Sequence, residues 1–459
     1  MPKWDVRDAV ATHADSSTLA TWWAAALSLA MLTTALANGA GALGGGVALI
    51  AVIWSLARLH SRAPTARSTS DLVGAVLGDR ASTMVALLQM CAYLFIAANV
   101  AAGVGFVLAG ASPWVRDPLD DPDGWWWPSW AAVAVLVAAV VVSMVSTRVV
   151  AAVCAALAGA AVLIAVSLAL AVLATVSSGT APIPVAEQTS SLVAINTSLL
   201  AGLSVVGLEV ITTANSRLRS VARPMGLALV TAMACAALIW AATQMGTTGG
   251  FSYSAGDFTS VVSELLGASG TNWGMIMSAC ALTSALLAVT WALLRIAGRI
   301  GEHVTALILA PVCVVGAVAV CRGWALLTPL SPSVAPILLV IVYLFVAEAS
   351  SRLPRWQNLA WMIKVFTIVV LVAAVLGPLL DALSPIGTPT HVFTRADALW
   401  RILLPVTVVA AAAGVASRWP QLVGVDADNR ADVGKRKSGV PMGKRQMRNL
   451  TRPTHDVGH

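Results

Sequence analysis

Residues 149–176 read VVAAVCAALAGAAVLIAVSLALAVLATV, an unbroken run without a charged side chain. At about 1.5 Å per residue a helix of this length more than crosses the roughly 30 Å of hydrocarbon in a bilayer. Water is absent there, so every backbone N–H and C=O must pair within the protein, which leaves only helices and closed barrels. Barrel strands alternate apolar and polar positions. This run is continuous and rich in Ala, Leu and Val, so it reads as a membrane helix.

Runs of the same kind recur on both sides of it. The 459 residues are 58% hydrophobic and 11% charged, whereas a soluble domain carries roughly 25% charged residues. Such a chain has too little polar surface to cover itself in water. Reading apolar runs between charged or Pro/Gly punctuation predicts about 12 spans. The first five are Leu19–Ala37, Ala42–Leu59, Ser82–Gly110, Trp130–Ser146 and Val149–Val176. The next five are Ser191–Thr213, Met225–Met245, Asn272–Leu294, Val304–Cys321 and Val334–Ala349. Asn358–Leu380 and Trp400–Val415 complete the set, and Asp257–Leu266 reads as a short surface helix.

Loop charge orients the spans. With the N-terminus inside, only Arg116, Arg322, Arg395 and Arg401 of the 28 basic residues fall outside. The positive-inside rule predicts this asymmetry, and an odd number of helices would scramble it. Both termini are therefore expected in the cytoplasm. Trp125, Trp126 and Trp127 fall in an acidic outer loop with Asp120 and Asp123, where indole rings suit the interface. The basic tail, residues 418–459, is expected to be disordered and drawn to the anionic inner leaflet. The net charge of +7 thus reports topology, and no nucleic-acid partner is expected. The six cysteines lie in or beside apolar runs and read as reduced packing residues.

No phosphate-binding, metal-ligating or hydrolytic motif appears, so neither a cofactor nor catalysis is expected. Polar and small residues inside spans carry what function there is, because they are costly in lipid. Span 6 is the richest, reading Ala201-Gly202-Leu203-Ser204-Val205-Val206-Gly207-Leu208-Glu209. Its two glycines lower the cost of opening the helix, and freed amides with a half-helix dipole can hold a carboxylate. The same glycines equally allow close helix packing. Gln89, Tyr93 and Asn99 on span 3 suit interhelical hydrogen bonds or solute contact. Glu209 with Arg217 reads as an ion pair or gate near the inner face. Thr283 and Ser284 could offer oxygens to sodium, although helical hydroxyls commonly bond back to their own backbone.

Several segments together resemble the amino acid–polyamine–organocation permeases. Gly207-Leu208-Glu209 followed by a basic loop to Arg223-Pro224 is similar to that family's sixth helix. Arg62-Ala63-Pro64, Arg295-Ile296-Ala297-Gly298-Arg299 and Ser351-Arg352-Leu353-Pro354 are similar to its loops after helices 2, 8 and 10. The resemblance implies an all-α fold with two inverted five-helix repeats, residues 19–176 and 191–349. A cytoplasmic segment, 1–18, precedes them and two appended helices, 358–415, follow. It also implies helices 1 and 6 broken at mid-membrane around the substrate. Carried over, the substrate-binding positions are Ala25, Ser28, Asn99, Gly202, Leu203, Ser204, Gly207 and Trp291. Span 1 departs from the family, with Ala24-Ala25-Ala26-Leu27-Ser28 in place of its Gly-Ser/Thr-Gly-Ile.

The expected function is secondary transport of an amino acid or related small organic amine by alternating access, with H+ preferred to Na+ as coupling ion. A non-transporting receptor-like or scaffold protein on the same fold, and a polytopic membrane enzyme, stay open beside it. High Ala, Val, Arg and Trp with few Lys and Tyr suggest a GC-rich bacterium and its cytoplasmic membrane.

Overall fold

A computed structural model describes residues 15–33, 39–64, 66, 68–110, 126–178, 222–246, 258–300, 311–318, 331–354, 357–383 and 395–420. Among these residues the chain is helical, and the protein is a multi-pass membrane protein. Its helices are α1 (Asp15–Leu32), α2 (Gly39–His60), α3 (Thr69–Leu77), α4 (Asp79–Gly110), α5 (Trp126–Val145) and α6 (Thr147–Ser177). There follow α7 (Ala222–Gly246), α8 (Phe258–Ile300), α9 (Ser331–Ser351), α10 (Gln357–Leu383) and α11 (Arg395–Arg418). Residues 311–318 are also helical. Six described helices contain windows long and apolar enough to cross a bilayer. Spans 1–5, 7, 8 and 10–12 each coincide with a described helix. Span 6, and span 9 apart from residues 311–318, lie outside the described residues, as do the N-terminal segment before Asp15 and the tail after Pro420.

Local chemistry sets the helix boundaries. Ser68 caps α3, its Oγ accepting from the Asp71 amide at 3.1 Å. Ser146 does the same for α6 through the Val149 amide at 3.2 Å. Each satisfies a donor that the first helical turn leaves unpaired. Between α3 and α4 the chain turns at Gly78, whose φ of 95° is open to glycine at little cost. Its amide still bonds the Gly74 carbonyl.

A second left-handed glycine, Gly267 at φ 63°, bends α8 and sets its first two and a half turns apart from the spanning part. This short arm corrects the surface helix expected over Asp257–Leu266. Phe258, Val261 and Val262 are buried, and they pack with Ala165, Leu168 and Val172 of α6 and Ile239 of α7. The reason is an apolar stripe at i, i+3, i+4 with Leu265 at i+7, which makes one face of the arm fit for burial.

The spanning helices pack pairwise into one bundle. α2 packs on α7 and α4 on α8. α8 also packs on α6 and α5, α9 packs on α4 and α2, and α6 packs on α7. α1 lies against α6, α7 and α8, while α3 sits between α2 and α4. Gly105 of α4 lets α5 approach closely, since a Cβ there would run into the Pro128 carbonyl oxygen and lie 3.0 Å from Ala132 Cβ. Gly316 approaches α4 in the same way, a Cβ there lying 3.2 Å from Ala98 Cβ. Leu27, Tyr93, Ala288 and Leu338, from four different helices, belong to one continuous buried core.

Candidate functional site

The junction of α1, α6 and α8 is polar. Thr33, directly after α1, places its Oγ1 3.3 Å from Ser284 Oγ of α8 and 3.5 Å from the Ala281 carbonyl. Both hydroxyls are buried. Thr33 donates to the Ala30 carbonyl at 2.8 Å and Ser284 to the Ala281 carbonyl at 2.8 Å. From α6, the Cys154 thiol donates to the Ser284 carbonyl at 3.5 Å. One turn and a half further along α8, Thr290 meets Ser143 of α5 at 3.1 Å. Thr33, Ser284 and Thr290 join helices while each also donates to a carbonyl three or four residues back, as membrane Ser and Thr commonly do.

The Thr33–Ser284 contact joins the end of α1 to α8. Trp291 comes seven residues after Ser284 on α8, and Ala25 and Ser28 precede Thr33 by eight and five residues on α1. α1 is helical across Ala24–Ser28, so the backbone there is not opened. Ala25 and Ser28 are buried side chains on a continuous rod. The small residues at Ala24–Ala26 keep the helix paired, since alanine has the best helix propensity of all residues.

Several buried side chains keep polar atoms unpaired among the described residues, and Ser28, Gln89 and Trp291 are three of them. Ser28 Oγ, Trp291 Nε1 and both amide atoms of Gln89 have no hydrogen-bond partner among the described residues. All three residues are buried to 1% exposure or less. An unpaired buried group of this kind costs about 1–3 kcal/mol and points to water, an ion or a ligand that completes it. Trp291 also carries the Arg295 guanidinium over its ring, 5.5 Å from the centroid. Asn99 is half-buried on α4. It lies one turn from Gly103, where a Cβ would sit 3.2 Å from Leu282 of α8, and so it is near the level of Ser284.

Of the residues singled out from sequence, Ala25, Ser28, Asn99 and Trp291 thus come to the inner part of the bundle on α1, α4 and α8. Gly202, Leu203, Ser204, Gly207, Glu209 and Arg217 lie outside the described residues. Thr33 was missed. Its signal was present, a hydroxyl at the end of an apolar run, but its partner is 251 positions away. Among the described residues no group of three or more His, Cys, Asp or Glu side chains converges. Among the described residues the region presents hydrogen-bond donors and acceptors but no nucleophile–base pair.

Compared with protein families and with curated proteins, the sequence matches none. Among solved structures it is similar to a manganese transporter of Eremococcus coleocola in complex with an aromatic bis-isothiourea substituted compound. The likeness has 13% sequence identity and a TM-score of 0.48, over 92% of this chain and 97% of that one.

Proposed function

We propose that the protein is a secondary transporter that moves an amino acid or a related small organic amine by alternating access. The observation that carries the reading is an exchange symmetry in the packing. Counting by spans, α2–α7 pairs spans 2 and 7, and α4–α8 pairs spans 3 and 8, so a shift of five maps each pair onto itself. Three further contacts have mates under the same shift. α6–α8 (5 and 8) answers α9–α4 (10 and 3), and α2–α9 (2 and 10) answers α7–α6 (7 and 5). α5–α8 (4 and 8) answers the approach of Gly316 to Ala98 (9 and 3). A shift of five would reverse the direction of crossing, and the paired contacts support reading the two halves as an inverted repeat. The contacts of α1 with α6, α7 and α8 and that of α4 with α5 have no described mate, and α7–α8 departs for a local reason, since α3 sits between α2 and α4 where α7 meets α8 directly.

Inverted halves can exchange conformations about a site at their interface, which is the geometric basis of alternating access. No chemical catalysis is needed, only unequal binding of the solute by two conformations. Proton coupling is preferred to sodium because Thr33 and Ser284, the hydroxyls best placed for a cation, are already satisfied within their own helices. A non-transporting scaffold is the second reading, and the unbroken α1 favours it.

Uptake of labelled amino acids and amines into proteoliposomes tests the proposal under imposed pH and sodium gradients. The expected result is uptake that follows the pH gradient and is lost in Gly207→Leu. Equal uptake by both chains would remove the span 6 site, and no uptake of any amine or amino acid would favour the scaffold.

A further inference from the structure

Two arginines occupy matching situations at the end of the bundle assigned to the cytoplasm. Each follows a tryptophan by four residues on its own helix and lies over that ring: Arg58 over Trp54 at 5.2 Å, Arg295 over Trp291 at 5.5 Å. Each then reaches across to the end of another helix. Arg58 of α2 donates to the Leu353 carbonyl at 2.8 Å and the Pro354 carbonyl at 3.0 Å, just past α9. Arg295 of α8 donates to Thr147 Oγ1, in the first turn of α6, at 3.0 Å. The indole face steers a guanidinium by cation–π attraction, so each arginine is aimed before it bonds.

Behind each bond lie polar atoms with no partner among the described residues. Ser55 is one turn inward of Arg58 and Ser350 one turn inward of Leu353; both hydroxyls are buried and unpaired. Behind Arg295 is the unpaired Trp291 Nε1. The arginine bonds favour a closed seam, and the dry hydroxyls and indole oppose it, because water entering an open seam would satisfy them. Opposed terms of this kind leave two packings close in free energy, as a switching element requires.

We propose that Arg58 and Arg295 are paired cytoplasmic latches, which hold the protein closed on that side and release together when it opens inward. The inference rests on the alternating-access reading, yet its test needs no known substrate. Inside-out vesicles carrying Ser55→Cys are treated with a small methanethiosulfonate, and labelling is read peptide by peptide by mass spectrometry. The introduced thiol reports on the first latch. Native Cys154, two turns along α6 from Thr147 and fully buried, reports on the second. Native Cys235, in the separate outer core, is the control.

Loss of a charge-assisted hydrogen bond in a partly exposed seam shifts such an equilibrium by roughly threefold to tenfold. Either R58A or R295A should therefore raise labelling of both reporters, the introduced thiol and Cys154, by that factor and leave Cys235 unchanged. Should either variant fail to assemble, R58K (one donor point where two carbonyls wait) and T147V should move both reporters the same way. Labelling confined to the reporter beside the altered residue, no change at either, or a parallel rise at Cys235 overturns the latch. Concerted labelling with no solute uptake would keep the latch and remove the substrate class; uptake without concerted labelling would do the reverse.

Discussion

Replacing Gln89 by methionine should make the protein more stable. Gln89 lies in the third span with none of its surface exposed, and neither Nε2 nor Oε1 has a partner among the described residues. In a soluble protein each such atom costs about 1–3 kcal/mol. In a bilayer the unfolded reference keeps its helices and finds other partners, and interhelical hydrogen bonds average only about 0.6 kcal/mol. Two unpaired atoms therefore cost roughly 1–2 kcal/mol. Methionine conserves volume and fills irregular space, so its packing penalty stays below about 1.5 kcal/mol. The net gain is up to about 1 kcal/mol, or roughly 1 °C in midpoint for a chain of this length. Thermal unfolding in detergent, followed by the fluorescence of the 17 tryptophans, measures it. Gln89→Glu should move the midpoint the other way, because a carboxyl group is harder still to bury. If Gln89→Met instead lowers the midpoint by more than about 2 °C, the amide is paired in the native protein and the reasoning is wrong.

Two further outcomes come from the packing and the ion pairs. Gly105→Ala should cost about 1–3 kcal/mol, because its Cβ meets the backbone oxygen of Pro128, which cannot rotate away. Gly103→Ala should cost much less, since it meets only the end of the Leu282 side chain; thermal midpoints of the two variants side by side give the comparison. Glu348 bonds Arg352 at 3.0 Å within α9 and Lys364 of α10 at 2.6 Å. These groups are partly exposed, so E348Q should change stability by less than about 1 kcal/mol, and a larger loss in a denaturation series would mean that the pair holds α10 in place.

The sequence alone placed the helices that the described residues contain. The run 149–176 was bounded to within two residues at its start and one at its end, α6 being Thr147–Ser177. Apolar length and a capping serine are local properties, and hydrocarbon leaves the backbone no other way to pair. The charge asymmetry is likewise readable one loop at a time. Tertiary structure alone decided which side chains meet. Arg58 finds carbonyls 295 and 296 positions away, and Thr33 finds Ser284 across 251. The Phe258–Leu266 arm looked like surface because its short stripe has a use only once the outer parts of α6 and α7 come to lie under it. Helix 1 illustrates the boundary between the two. Its missing glycines were legible from the residues, but whether Ala24–Ser28 bends or stays paired depends on the neighbours that press on it. In the folded protein it stays paired, because small apolar side chains packed on three sides give the backbone nothing to gain by opening.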